Sequence, residues 1–451
     1  MEQIMGLVKS EYVDSVDLAD LEERAVSELL QSFDPHSVYI PAKYVDIANQ
    51  DLEGGFEGIG IEFFVYSDTP TVVRILPGGP AEKAGIYPGD RILKIDTSSL
   101  LGLESNQIVK LIKGRKNSKA VATLLRKSSG EVFTPEFERD RIVTTSVFSG
   151  HVDEQTAYVK IEHFADKTHT DFVQAIESLN KESGINRLVL DLRDNPGGYL
   201  HAAVRLLDEM IDGTDVLAYT EAVNRARKDY KATPGGLCKD MDIAILVNQR
   251  SASASEIVSG ALQDLDRGVV LGERTFGKGL VQETFELNDG SQIRLTIARY
   301  YIPSGRSIQK PYDKEGYHEF MTKSDSASHK NYETKSGRRV SSGGGVTPDI
   351  LYSGSDSISY QLVNTIATDI LDQHASNWME LDYKTWKSSK EVHTAIEGAL
   401  IDYEHAKQAV MSRLVFQIFG TEAWYQFNID ADQLIQRALD SFQNQSALLN
   451  P

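Results

Sequence analysis

The chain of 451 residues has a single cysteine, Cys238. That excludes an intramolecular disulfide and a zinc site built from several cysteines. It has no run of 18 apolar residues, the minimum for a spanning helix. It is poor in cations, with Lys+Arg 47 against Asp+Glu 66 and a formal net charge of −19. Such a chain repels phosphate backbones and anionic lipid, which argues against nucleic acid or a membrane surface as its partner. The opening segment MEQIMGLVKSEYVDSVD has no basic stretch leading into an apolar one, so it does not read as a secretory signal. Two expectations follow: a cytoplasmic protein, or a mature form whose export signal has been removed.

What is present is ordinary. The hydrophobic fraction is 41%, the charged fraction 25%, with 34 Gly and 13 Pro. These values exclude wholesale disorder and collagen-like repeats. At about 100–200 residues per domain, the length predicts two to four domains.

Four zones differ in texture. Residues 1–53 open with helical spacing (Ile4, Leu7, Val8, Tyr12, then Leu21, Ala25, Leu29) and run into the turn DPHSVYIP. Residues 54–142 carry short β-prone runs, GIGIEFFVY, TVVRIL, RILKID and AVATLLR, around the Gly/Pro-rich PGGPAEKAGIYPGD. This predicts a compact β-rich domain with one or two short helices. Residues 143–350 alternate apolar runs (TAYVKIEHF, RLVLDLRD, DIAILVNQ, GVVLGE) with helical patterns (THTDFVQAIESLN, GYLHAAVRLLDEMI, ASEIVSGALQDL). That alternation predicts an α/β domain with a substantially parallel sheet, and LVQETFEL reads as a further strand. The polar stretch 311–345 is expected to be a long mobile loop. Residues 351–451 return to helical periodicity, and packing against the protein's own core is the simplest expectation for them.

In an open α/β sheet, functional groups gather at the carboxyl ends of strands. Three ends stand out: RLVLDLRD into NPGG, DIAILVNQR into SASASE, and GVVLGE into RTFGKG. GERTFGKG, Gly272–Gly279, fits a phosphate-loop spacing, and Asp191 at the end of LVLD has the look of a magnesium-binding carboxylate. Yet Gly279 stands where the loop needs Ser or Thr, and a strand rather than a helix follows. Ser251, Ser253 and Ser255 lie at a strand-to-helix junction. There a hydroxyl can be exposed as a nucleophile beside free helix N–H groups, or can simply cap the helix. Spacing does not choose among the three. For a base, His201 follows NPGG but falls inside a helical pattern. Lys278 sits in a Gly-flanked turn. An ordinary lysine titrates at about 10.4; buried away from carboxylates, it can fall to about 7–8 and accept a proton. Whether Lys278 is so buried or merely a solvated turn residue stays open on spacing.

SASASEIVSGALQD followed by GERTFGKGLVQ, together with DLRDNPGG, PAEKAGIYPGDRILKID, DPHSVY and GGGVTPD in this order, resembles the carboxyl-terminal processing peptidases, or tail-specific serine proteases. The resemblance covers residues 1–350. It implies an α/β, crotonase/ClpP-like peptidase core with an inserted PDZ-like domain and helical N- and C-terminal regions. It implies that Ser253 is the nucleophile, Lys278 the general base and Gln282 the residue orienting it. The oxyanion donors would be the N–H of Ala254 and one from Gly197 or Gly198. No metal or cofactor is called for. Residues 54–142 resemble a PDZ domain, in which Gly58, Ile59, Gly60 and Ile61 would receive a substrate's terminal carboxylate. The expected substrates are polypeptides with unstructured C-terminal tails, and the expected compartment is extracytoplasmic, periplasmic in bacteria, with the export signal removed. His201 stands where an acidic residue is more usual in the family. The competing reading is a PDZ-containing binding or scaffold protein without catalysis.

Overall fold

The computed structural model describes residues 2–49, 55–66, 68–126, 129–143, 145–312, 331–352, 360–378, 381–400 and 406–449. They divide into two compact units, each assembled from separated segments. One comprises Met1–Glu53, Asp153–Ser353 and Leu434–Pro451, the other Gly54–Val152 and Gly354–Gln433.

The first unit is built on a parallel sheet. Thr156–Ile161, Arg187–Asp191, Asp242–Val247, Val269–Gly272 and Ile350–Leu351 pair in that spatial order, all parallel. The apolar runs belong here because both faces are covered. Leu188, Val189, Leu190, Ile243, Ala244, Ile245 and Leu246 are fully buried. Helix Thr168–Ser183 buries Phe172, Ile176 and Leu179, a stripe at helical spacing, and closes on Gly184 at φ 65°. A second, antiparallel sheet was not foreseen from the sequence. It joins Val38–Ile40, Gln292–Tyr301, Val216–Ala222 and Arg225–Lys231, with Leu280–Glu286 also on Gln292–Tyr301. Val38–Ile40 lies just beyond the expected helices, which run Glu2–Glu11 and Leu18–Gln31. The polar stretch 311–345 falls partly outside the described residues, at 313–330. Beyond it, Asn331–Glu333 and Arg339–Ser341 form a hairpin.

The second unit contains an antiparallel sheet ordered Ile61–Tyr66, Thr69–Ile75, Arg91–Ile95, Lys119–Arg126, Glu131–Phe133. Ile59, Val72, Ile92, Ile95, Leu100, Ile108 and Leu124 form its core. The helices Tyr360–Trp378, Tyr383–Ser388, Lys390–Ala399 and Lys407–Ala431 belong to the same unit and bury a cluster around Trp378, Trp386, Val392 and Leu414. Helix Lys407–Ala431 packs on strand Thr69–Ile75, with the Arg74 guanidinium 5.2 Å from the Phe416 ring centre. The helical stretch expected at 351–451 is thus divided, because Gln433–Gln443 and Gln445–Leu449 pack in the first unit. There Gln445 donates to the Ile243 carbonyl at 3.1 Å.

Trp386 is completely buried in an edge-on pair with Trp378, ring centres 5.9 Å apart. Trp386→Ala is expected to cost about 3–5 kcal/mol of this unit's stability, measured as a lowered denaturation midpoint.

Candidate active site

Three strands of the parallel sheet end side by side, Asp191 against Leu246 and Val247 against Gly272. Beyond these ends lie three turns: 193–198, 248–253 and 273–279.

The middle turn leads into helix Ala254–Asp264, and its three serines divide cleanly. Ser251 Oγ donates to the Leu192 carbonyl at 2.8 Å and Ser255 Oγ to the Asn195 carbonyl at 3.0 Å, and both residues are fully buried. These two hydroxyls sew the middle turn to the first. Ser253 takes neither role. It caps the helix at φ 56°, ψ −112°, a backbone conformation that a residue with a Cβ rarely adopts. A strained residue between strand and helix is how such turns present a nucleophile outward.

Glu256, one helical turn on, holds that strain in place. One carboxylate oxygen accepts from the N–H groups of Ser253 (2.9 Å) and Lys278 (2.8 Å). The other accepts from Thr275 Oγ1 (2.6 Å) and the Gly277 N–H (2.7 Å). The serine turn and the lysine turn therefore meet on one carboxylate. Complete burial pushes Glu256 up to about 7, with these four hydrogen bonds opposing the rise. Tyr300 adds a second tie, its hydroxyl lying within hydrogen-bonding reach of the carbonyls of Ser253 (3.0 Å) and Lys278. Neither Glu256 nor Tyr300 was singled out from the sequence. The S-x-x-E spacing of a capping box was the available signal for Glu256; Tyr300 left none.

Lys278 is half-buried rather than fully solvated. Its Nζ donates to Gln282 Oε1 at 3.0 Å, a neutral partner. Burial lowers its pKa from the ordinary lysine value, Asp34 and Glu256 oppose the fall, and Arg294 adds to it. Lys278 opens no helix: strand Leu280–Glu286 follows, which removes the main requirement of a phosphate loop. Asp191 is equally committed. It accepts from Tyr158 Oη at 2.7 Å and from the Arg193 N–H at 2.9 Å, and pairs with the Arg193 guanidinium and Lys160. These cations hold its carboxyl well below the usual range despite burial. His201 bonds Asp166 at 3.0 Å and stacks on Tyr199. The Cys238 thiol is buried and pushed up to about 12, chiefly by that burial, which makes it inert as a nucleophile.

The two glycines of NPGG differ. A Cβ on Gly197 would stand 2.7 Å from the Ala252 carbonyl oxygen, 2.8 Å from Ser253 Cβ and 3.0 Å from the Ala254 nitrogen, so the turn lies directly against the serine. Its N–H is donated to Asn195 Oδ1 at 2.8 Å. Gly198 has φ 142° and passes so close to Phe164 that a Cβ would lie 2.2 Å from its carbonyl oxygen.

In the other unit, Gly58 ends a strand paired with Asp140–Val143. Ile59 is buried and its carbonyl accepts from the Ala81 N–H at 2.8 Å. Gly60, at φ 77°, accepts from the Leu76 N–H at 2.9 Å. Ile61 starts strand Ile61–Tyr66, which ends the order of its sheet.

Glu256→Gln would turn an NH2 group onto two donors whichever way the amide is set. Stability is expected to fall by about 1–3 kcal/mol, read by denaturation. Gly197→Ala forces a methyl group into the Ser253 turn at a φ of 102°. It should displace the Ser253 backbone and lower the protein's denaturation midpoint.

The model of peptidase family S41 matches residues 155–315, and that of the PDZ domain matches residues 71–126. A carboxy-terminal-processing protease of Bartonella bacilliformis is 34% identical over 309 residues, 68% of this chain and 71% of that one. The carboxy-terminal processing protease CtpA of Bacillus subtilis is 33% identical over 310 residues, 67% of this chain and 65% of the relative, just under two thirds of its length. Among solved structures, a photosystem II D1 C-terminal processing protease is 26% identical with a TM-score of 0.43, covering 78% of this chain and 87% of that one. The chain belongs to peptidase family S41, the carboxy-terminal processing serine proteases, and carries a PDZ domain.

Proposed function

We propose that this protein is an endopeptidase that cuts polypeptides near their C-termini with Ser253 and Lys278. The observation that carries the reading is the half-buried Lys278 amine resting on the Gln282 amide oxygen, on a turn that shares the Glu256 carboxylate with Ser253. Neutral Lys278 takes the Ser253 proton, and Oγ attacks the scissile carbonyl. The oxyanion is received by the N–H of Ala254 and that of Gly198, since the Gly197 N–H is already given to Asn195. The amine leaves as it takes the proton from Lys278. A water activated by the same lysine then releases the acid and frees the serine.

Residues 54–142 receive the substrate's tail in this scheme. An extended peptide adds beside Ile61–Tyr66 and brings its carboxylate to the Gly58–Ile61 turn. Substrates are polypeptides with unstructured C-terminal tails, and the working compartment is outside the cytoplasm.

The test is cleavage of an unfolded protein with an apolar C-terminal tail. The parent should cut, and Ser253→Ala and Lys278→Ala should each lose at least about 10³-fold in kcat, the scale on which a nucleophile or its base acts. Because burial lowers the Lys278 pKa, kcat/KM should rise with pH through that lowered value and level off below the ordinary lysine value. A parent that binds the tail without cutting it would point to the scaffold reading, and full activity in Ser253→Ala would remove Ser253 as nucleophile.

A further inference from the structure

The Gln282 amide poses a problem of direction. Its two ends have nearly the same shape, and only its oxygen can hold the Lys278 amine as an acceptor. What fixes the direction is the partner of the other end: Gln282 Nε2 donates to the backbone carbonyl of His36. A carbonyl only accepts, so the NH2 must face it and the oxygen must face Lys278.

The His36 carbonyl lies in the turn 34–37, and that turn is held by one side chain. Asp34 Oδ1 accepts from the N–H groups of His36 and Ser37, both at 2.8 Å, and Oδ2 accepts from Ser37 Oγ at 2.7 Å. The turn is pinned at a particular place. Asp34 Oδ1 also accepts from Thr296 Oγ1 at 3.0 Å, and Ser37 Oγ accepts from the Thr296 N–H at 3.1 Å. Thr296 is the cross-strand partner of Gln282 in the antiparallel pairing. Asp34 and Ser37 are both buried. The carboxylate therefore anchors the turn to the strand directly beside the glutamine whose amide the turn must meet.

We infer that Asp34 is a positioning residue for the base: it holds the His36 carbonyl against Gln282 and thereby keeps the amide oxygen turned toward Lys278. The inference rests on the Ser253–Lys278 reading and extends its machinery to a turn some 240 residues earlier in the chain.

Asp34 has a second, electrostatic effect. The charged or titratable groups around Lys278 are Asp34 and His36 from this turn, Glu256 from helix Ala254–Asp264, and Arg294 and Tyr300 from strand Gln292–Tyr301. His36 is lowered to about 4 by burial and by Lys278, against Asp34, and so is neutral at ordinary pH. The negative charge of Asp34 opposes the fall of the lysine pKa. Removing the charge without moving the turn must let that pKa fall further.

The experiment is a double-mutant cycle in the full chain, reading kcat, KM and the pH profile on the unfolded substrate. Asp34→Ala is expected to lower kcat about 10–100-fold, the usual scale for a residue that orients another functional group, with KM little changed. In a Gln282→Ala background the same substitution should cost less than about threefold, because the group it orients is gone. Asp34→Asn retains an oxygen for His36, Ser37 and Thr296. It should restore most of kcat and move the acid limb of kcat/KM to lower pH. Equal losses in both backgrounds would mean a merely structural role and overturn the inference, as would an Asp34→Ala variant with parental kcat. An Asp34→Asn limb that stays in place overturns the electrostatic part. If Asp34→Ala does not fold, Ser37→Ala in the same cycle decides, since it cuts the link to the Thr296 N–H. Activity surviving in Ser253→Ala or Lys278→Ala removes the dyad reading and this inference with it. Additive losses with an inactive Ser253→Ala remove this inference alone.

Discussion

The site depends on one buried carboxylate. Glu256 is taken wholly out of water, which is costly for a charge unless its oxygens are filled. Four donors fill them, and each belongs to a segment that has to be in place for the site to exist: the serine turn, the threonine of the next strand end and the two residues of the lysine turn. Its rise to about 7 means that burial outweighs those four hydrogen bonds. Ser253 can keep a left-handed backbone because its N–H is fastened at this point, and Lys278 can stay half-buried because its backbone is fastened at the same point.

Around that carboxylate the parallel sheet supplies position and the antiparallel sheet supplies orientation. Strand ends at Asp191, Val247 and Gly272 set the three turns side by side. Asp191 is neutralised by Arg193 and Lys160 and shapes the start of the turn that carries Gly197 and Gly198. Tyr300 and Gln282, both from the antiparallel sheet, govern what the serine and lysine turns face. A lysine proposed as a base needs both contributions. Burial alone would leave an amine with no direction, and a directing group alone would leave it charged.

The elements that were legible in the sequence were those whose signal is local. RLVLD and DIAILV declare buried strands by composition, and THTDFVQAIESLN declares its helix by period. The site was legible only in part. Three serines in alternation are indistinguishable by spacing. They separate only because Ser251 and Ser255 find the carbonyls of Leu192 and Asn195, about 60 residues away. Lys278 could be read as solvated or buried until the packing around it was known. The Asp34 turn carried a recognisable string, DPHSVY, but its contacts with Thr296 and Gln282 cross more than 240 residues. The helices after residue 354 have one amphipathic texture, and nothing local reveals that 354–433 and 434–451 serve different cores.

The interleaving of the two units has a consequence for biosynthesis. Neither unit is encoded as one continuous stretch. The second is missing its four helices until residues up to 433 have left the ribosome, and the first is missing Leu434, Phe442 and Leu449 until residues 434–451 have followed. Domains encoded contiguously fold in order as they emerge, and that route is closed here. A nascent chain that stops short of residue 434 still lacks part of the first unit's core, so that unit is completed only after residues 434–451 have been made.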